Sequence, residues 1–160
     1  MLNVKLICVG KMKEKHYISA FEEYKKRLGA YCKFELVELA EQRLPENPSE
    51  KEIHAALEKE AVEIEKHIPS GAALCAMCIE GDMKSSTELA AVFEKWTNSG
   101  KSKICFVIGG SCGLAGRIKS LADLCLSMSR MTFPHHLARV MVGEQIYRAF
   151  TIIEGSKYHK

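Results

Sequence analysis

The chain predicts an α/β fold: one domain, residues 1–160, on a mostly parallel sheet with helices on both faces. Three observations carry that reading. Short apolar runs of strand length alternate with longer segments of helical period along the whole chain, the pattern that strand–helix–strand units around a covered sheet produce. The run Lys103–Ile108 ends directly in Gly109-Gly110-Ser111-Cys112-Gly113, and a second run, Leu124–Met128, opens into Ser129–Phe133. Two strand ends carrying bare backbone and small polar groups are where such sheets hold nucleotide-like ligands.

Each element has its own local reason. Asn3–Val9 is apolar enough for a buried first strand. Lys13–Leu28 spaces Tyr17, Phe21, Tyr24 and Leu28 on one helical face, and Gly29 follows as a stop. Lys33–Leu39 forms the second strand, and the polar loop Ala40–Pro48, with two of the four prolines, suits either a lid or a flexible surface loop. Ser49 with Glu52 three residues on is a capping-box signature for a helix to about His67. Pro69-Ser70-Gly71 turns the chain into a third strand, Ala73–Ile79, followed by a loop at Gly81–Lys84. Ser85 and Glu88 cap the next helix, Thr87–Trp96. The strand Lys103–Ile108, a helix from about Leu114, the strand Leu124–Met128 and the helix Pro134–Ile153 complete the order. That last helix is apolar over most of its circumference, so it is either buried or half of a subunit interface; helices on the outside of so small a domain favour a homodimer contact. Glu144 and Arg148, at i and i+4, give it one polar stripe.

Composition narrows the function. With 160 residues the chain buries a sizeable core without metals or disulfides. No apolar stretch approaches the roughly 20 residues of a membrane span, and the run Leu6–Val9 is followed by no cleavage signal. Seven cysteines, an odd number mostly set in apolar runs, fit small buried hydrophobes in a reducing cytoplasm. Charge is uneven: residues 1–80 hold 12 Lys/Arg against 14 Asp/Glu, residues 81–160 hold 11 against 6. The glycine-rich strand ends therefore lie on the basic half, which would attract a polyanion such as RNA.

Familiar motifs fail on inspection. Gly100-Lys101-Ser102 lacks the first glycine of a phosphate loop, since position 95 is Lys. The dinucleotide fingerprint fails because Gly109 and Gly110 are adjacent and Ser111 stands where its second glycine belongs. Cys75 and Cys78 form C-x-x-C within a strand, where residues three apart face opposite ways and cannot share a metal. His135 and His136 have no nearby ligand partners, so no metal site is expected. His136 reads as a surface or interface residue, while His135 comes close enough to the glycine turn to contact substrate if the fourth and fifth strands are neighbours. Gly109 and Gly110 permit close approach of a ligand to the main chain, and Gly113 a sharp entry to the helix.

Taken together, Phe106–Leu114, Leu126–His135, Arg139-Val140, Glu144–Ala149 and the terminal Tyr158-His159-Lys160 resemble the RlmH family, small SPOUT-class enzymes that methylate N3 of a pseudouridine in bacterial large-subunit ribosomal RNA. The likeness runs from Val9-Gly10-Lys11 to the tail and includes Glu23-Tyr24 and Lys59-Glu60. It implies S-adenosyl-L-methionine as methyl donor, a homodimer acting on the ribosome, and a C-terminal trefoil knot through which the last helix is threaded, a topology that periodicity does not reveal. It also implies a cofactor pocket lined by Met77, Gly109, Gly110, Gly113, Met128, Ser129, Arg130, Met131, Thr132 and Phe133. The N3 proton must leave: His159, His135 and Glu144 are candidates to take it, Arg139 and Lys160 to stabilise the deprotonated ring, and Tyr158 to stack on the base. The family likeness suggests that the tail of one subunit completes the other's pocket. Cys112 departs from the small polar or acidic residues of the family at that turn.

Overall fold

A computed structural model describes residues 1–160. Its elements are β1 (Leu2–Val9), α1 (Lys15–Leu28), β2 (Cys32–Leu39), α2 (Glu50–His67), β3 (Ala73–Met83), α3 (Ser86–Asn98), β4 (Lys103–Ile108), α4 (Gly116–Leu121), β5 (Leu124–Ser127) and α5 (His135–Ile153). The five strands form one sheet in the order β2-β1-β4-β3-β5, every neighbouring pair parallel. The expected parallel sheet with helices on both faces is thus present. The neighbouring of the fourth and fifth strands, on which the placement of His135 was conditional, does not occur, because β3 lies between β4 and β5.

The period-two rule explains the two cores. Val4, Leu6 and Cys8 of β1, Ile104, Phe106 and Ile108 of β4, and Ala73 and Cys75 of β3 point to one face. There they meet Phe21 and Leu28 of α1, Leu89 and Phe93 of α3, and Val142, Ile146 and Phe150 of α5. Phe93 anchors this layer with ring centroids 5.9 Å from Phe106 and 5.7 Å from Phe150. Such aromatic contacts add roughly 0.5–1.5 kcal/mol each beyond burial. The intervening residues Ile7, Val9, Leu74, Ala76, Cys105 and Val107 face the opposite layer, with Ala61 and Ile64 of α2 and Ile118 of α4. That second core is thinner, and α4 leans on a charged clamp: Arg117 donates to Glu65 through Nε and Nη2, both at 3.0 Å, and to Glu58 at 3.1 Å.

Both capping boxes form as the sequence requires, with Ser49 accepting from the Glu52 amide and Ser85 from that of Glu88. The segment Gly81–Met83, expected as loop, instead continues β3. Its register against β5 jumps from Met77 to Asp82, both opposite Leu126, so the intervening residues bulge out and the strand resumes. Gly-Asp reads as a turn locally, but pairing with the edge strand overrides it. Each of β1, β2 and α3 begins one residue before its expected start, and Pro134 caps α5 rather than joining it.

α5 packs between α1 and α3, burying Arg139, Val142, Ile146, Ala149 and Phe150. Val140 and Tyr147 pack at the edge of that core, while Leu137 and Met141, on the side away from it, remain only partly covered within one chain. After β5 the chain therefore crosses from the face that α4 occupies to the face of α5, over the carboxyl end of the sheet.

Candidate active site

The crossing segment closes a cleft of about 570 Å³ at the carboxyl ends of β3, β4 and β5, the position where open α/β sheets bind ligands. Met77, Ile108 and Leu126 form its floor at the strand ends; the Gly109–Leu114 turn makes one wall, and the 128–135 segment the other. The size falls within the range of small-molecule pockets, and the lining mixes apolar side chains with exposed main chain.

The glycine turn has a physical requirement at two positions. A Cβ at Gly109 would land on the Gly113 carbonyl, so only glycine lets the strand end and the turn close on each other. Gly113 sits at φ +82°, which L side chains rarely adopt, and its amide donates to the Gly110 carbonyl at 3.1 Å. The opposite wall is shaped by serines. Ser127, itself buried, donates through Oγ to the Ser129 carbonyl at 3.0 Å, and Ser129 Oγ accepts from the Met131 amide at 3.0 Å. Side-chain hydroxyls here replace the ladder bonds that end with β5.

Of the residues the sequence suggested for a cofactor, Met77, Gly109, Gly110, Gly113, Met128, Ser129, Met131, Thr132 and Phe133 all line this one cleft. Arg130 is exposed and is not among the lining residues. His135 is also on the lining; burial first, then neighbouring His136 and Arg139, hold its pKa below the ordinary histidine value despite Glu41 and Glu14. Its imidazole is thus kept neutral near pH 7, able to accept a proton.

Other suggested residues lie elsewhere. Arg139 is only 1% exposed and contributes nothing to the cleft wall. Its Nη1 donates to Glu38 Oε2 at 2.5 Å and its Nη2 to the Gly10 carbonyl at 3.0 Å. Glu144, Tyr158 and His159 form a second cluster on the exposed side of α5. Arg148 donates to Glu144 at 2.6 Å, the Tyr158 hydroxyl donates to the same carboxylate oxygen at 3.1 Å, and Arg148 Nη1 lies 3.1 Å from His159 Nδ1. The Arg148 guanidinium also sits 4.8 Å from the Tyr158 ring centroid. Burial, then the Glu144 charge, push the Tyr158 hydroxyl up to about 12, so it remains a donor. Lys160 is exposed beyond this cluster. Cys75 is buried in the first core while Cys78 lines the cleft, so the C-x-x-C pair faces apart.

Comparison with known proteins places this geometry. The family described as predicted SPOUT methyltransferases matches residues 2–159. The chain belongs to the SPOUT methyltransferase family. Within that family it is 47% identical over 159 residues to a "Ribosomal RNA large subunit methyltransferase H" from Bacillus pumilus (strain SAFR-032), covering 99% of this chain and all of that one. It is 46% identical over the same length, with the same coverage, to the protein of that name from Limosilactobacillus reuteri (strain DSM 20016). The likeness to the RlmH family seen in the sequence is borne out. Among solved structures, a "probable methylase family protein" from Haemophilus influenzae Rd KW20 shares the fold with a TM-score of 0.53 at 18% identity, over 98% of this chain and 70% of that one. A "probable methyltransferase" from Bordetella pertussis Tohama I does so with a TM-score of 0.53 at 13% identity, over 92% and 95%.

Three features of this SPOUT methyltransferase escaped sequence reasoning: Glu41 from the β2–α2 loop, Ser111 as its partner, and Arg148 as the hub of the tail cluster. The polar stripe on α5 pointed to Arg148. Nothing local pointed to Glu41, whose partner is 70 residues away.

Proposed function

We propose that this chain is an S-adenosyl-L-methionine-dependent methyltransferase that modifies N3 of a pseudouridine in large-subunit ribosomal RNA, working in the cytoplasm as a homodimer with a knotted C-terminal half. The observation that carries the reading is that the Gly109–Gly113 turn and the Met128–Phe133 segment, well apart in sequence, wall a single cleft. The full-length likeness to proteins named as ribosomal RNA methyltransferases supports the substrate class.

The residues present fit the cofactor. Glycine backbone that no Cβ could replace at position 109 forms a flat cradle, and Met77, Leu126 and Met128 supply apolar packing. When bound, S-adenosyl-L-methionine supplies a sulfonium-borne methyl group for direct displacement. The protein's task is alignment, which can lower such a barrier by up to roughly 7–11 kcal/mol. His135, neutral at the edge of the cleft, accepts the N3 proton as the ring becomes a nucleophile. Arg139 positions the start of α5, and with it His135, through Glu38 and Gly10.

The Glu144–Arg148–Tyr158–His159 cluster lies outside the cleft of its own chain. A second copy packed against the partly covered side of α5 would bring that cluster to the neighbouring cleft, where Tyr158 and Arg148 offer an aromatic face and a cation for a flipped-out base. Incubation of the purified protein and methyl donor with free ribosomal RNA, large subunits and whole ribosomes from a strain lacking it tests the proposal. Mass mapping should locate one new methyl on a pseudouridine; a methyl on another base, or none on any of the three substrates, overturns it.

A further inference from the structure

The loop Ala40–Pro48, which local sequence leaves as a lid or a surface loop, is fastened at its beginning. Glu41 Oε1 accepts from the Ser111 amide at 3.1 Å and from the Ser111 hydroxyl at 2.5 Å. The carboxylate lies flat on the glycine turn: a Cβ at Gly110 would fall 2.8 Å from Glu41 Cδ. Its other oxygen faces Gly10, where a Cβ would lie 3.7 Å from Glu41 Oε2 and 3.6 Å from His135 Nε2. Gly10, Glu41, Gly110, Ser111 and His135 therefore meet at one point above the carboxyl ends of β1 and β4.

The loop delivers Glu41 to that point through anchors on both sides. Upstream, the Gly10 amide donates to the Leu39 carbonyl at 2.7 Å, and Glu38 accepts from the Met12 amide at 2.9 Å. Downstream, the Gln42 amide donates at 2.8 Å to Glu60, which is only 6% exposed on α2. A carboxylate held on a backbone amide and a hydroxyl together makes the stronger, charge-assisted kind of hydrogen bond. It spans a turn whose glycines otherwise give the backbone wide freedom.

We propose that Glu41 is a positioning residue: it latches the β2–α2 loop onto Ser111 and holds the glycine turn in the shape that receives the methyl donor. The inference rests on the cleft being the donor site. It assigns Glu41 no contact with the reacting atoms; it acts through Ser111 and the turn.

Calorimetric titration with S-adenosylhomocysteine, the demethylated form of the donor, tests this alongside amide hydrogen exchange of the unliganded protein. Glu41→Ala should weaken binding at least tenfold and speed exchange of the Ser111 amide, with a near-unchanged melting temperature. Glu41→Gln, whose carboxamide oxygen still accepts from Ser111, should stay within about threefold of the parent. Ser111→Ala should weaken binding less than Glu41→Ala, and the double variant should be no weaker than Glu41→Ala alone. Unchanged affinity and unchanged Ser111 exchange in Glu41→Ala overturn the proposal, as does a Glu41→Gln variant as weak as Glu41→Ala. Gly109→Ala separates the two levels: if it too binds like the parent, the assignment of the cleft falls as well, whereas its loss of binding beside a normal Glu41→Ala removes only the latch.

Discussion

Replacing Arg139 distinguishes a residue that holds the fold from one that touches substrate. Its guanidinium is buried, and it joins α5 to β2 through Glu38 and to the end of β1 through the Gly10 carbonyl. Arg139→Ala leaves that carbonyl unpaired and Glu38 without its counter-charge. Removing one member of a buried pair costs about 3–5 kcal/mol. Glu38 retains the Met12 amide, and its side chain is 28% exposed. Both features place this case near the lower end, at about 3 kcal/mol. For a chain of this length each kcal/mol moves Tm by roughly 2–4 °C, so a fall of about 6–12 °C is expected. Circular dichroism melts at pH 7 measure it directly. The paired Arg139→Met/Glu38→Gln variant should recover much of the loss, since it removes both charges together. A single variant that melts within about 2 °C of the parent yet loses methylation would show that Arg139 acts on the substrate instead.

Three further outcomes follow from the geometry. Cys8, Cys32 and Cys105 are pushed up to about 12 by burial, whereas Cys112 is exposed on the cleft; a thiol reagent should therefore label Cys112 first, and S-adenosylhomocysteine should slow that labelling several-fold, with equal rates excluding the ligand from the cleft. His135 resists protonation in the folded state, so it contributes stability that is complete above about pH 6.5 and is lost as pH falls below that value; single-turnover methylation should likewise stay flat through neutrality and drop only on the acid side, and an identical acid limb in His135→Gln would remove this residue from the proton transfer. Deleting Tyr158–Lys160 should abolish methylation while leaving S-adenosylhomocysteine affinity within about threefold, because the tail cluster lies outside its own chain's cleft; an unchanged rate refutes a role for the tail.

The sequence made the elements legible because their signals are local. Both capping boxes, the period-two strands and the helical stripe of α1 follow from residues within a few positions of one another. The glycine turn was legible for the same reason: its constraint lies between Gly109 and Gly113. What escaped was everything decided across the sheet. The insertion of β3 between β4 and β5 is invisible to periodicity, and so is the return of Gly81–Met83 to the sheet after a bulge. Arg139 became a candidate through the family likeness, as a cation for the deprotonated ring; its partners in the fold lie 101 and 129 residues away, beyond the reach of any local signal. Glu41 was hidden among ordinary loop polarity until the fold placed it on Ser111.

The charged clamp at Arg117 has a consequence for how ligands enter. α4 is a six-residue helix with Ile118 as its buried anchor, and it bridges the glycine turn to β5. Elements with so little apolar grip open at lower free energy than the rest of a domain. Here the hinge strength is partly ionic, since Arg117 and the carboxylates of Glu58 and Glu65 are all about one-third exposed, and salt screens such pairs. Raising ionic strength should let this flank breathe faster while α5 stays shut, so the rate of donor entry becomes a salt-tunable quantity set by a short helix whose Lys119 lines the cleft.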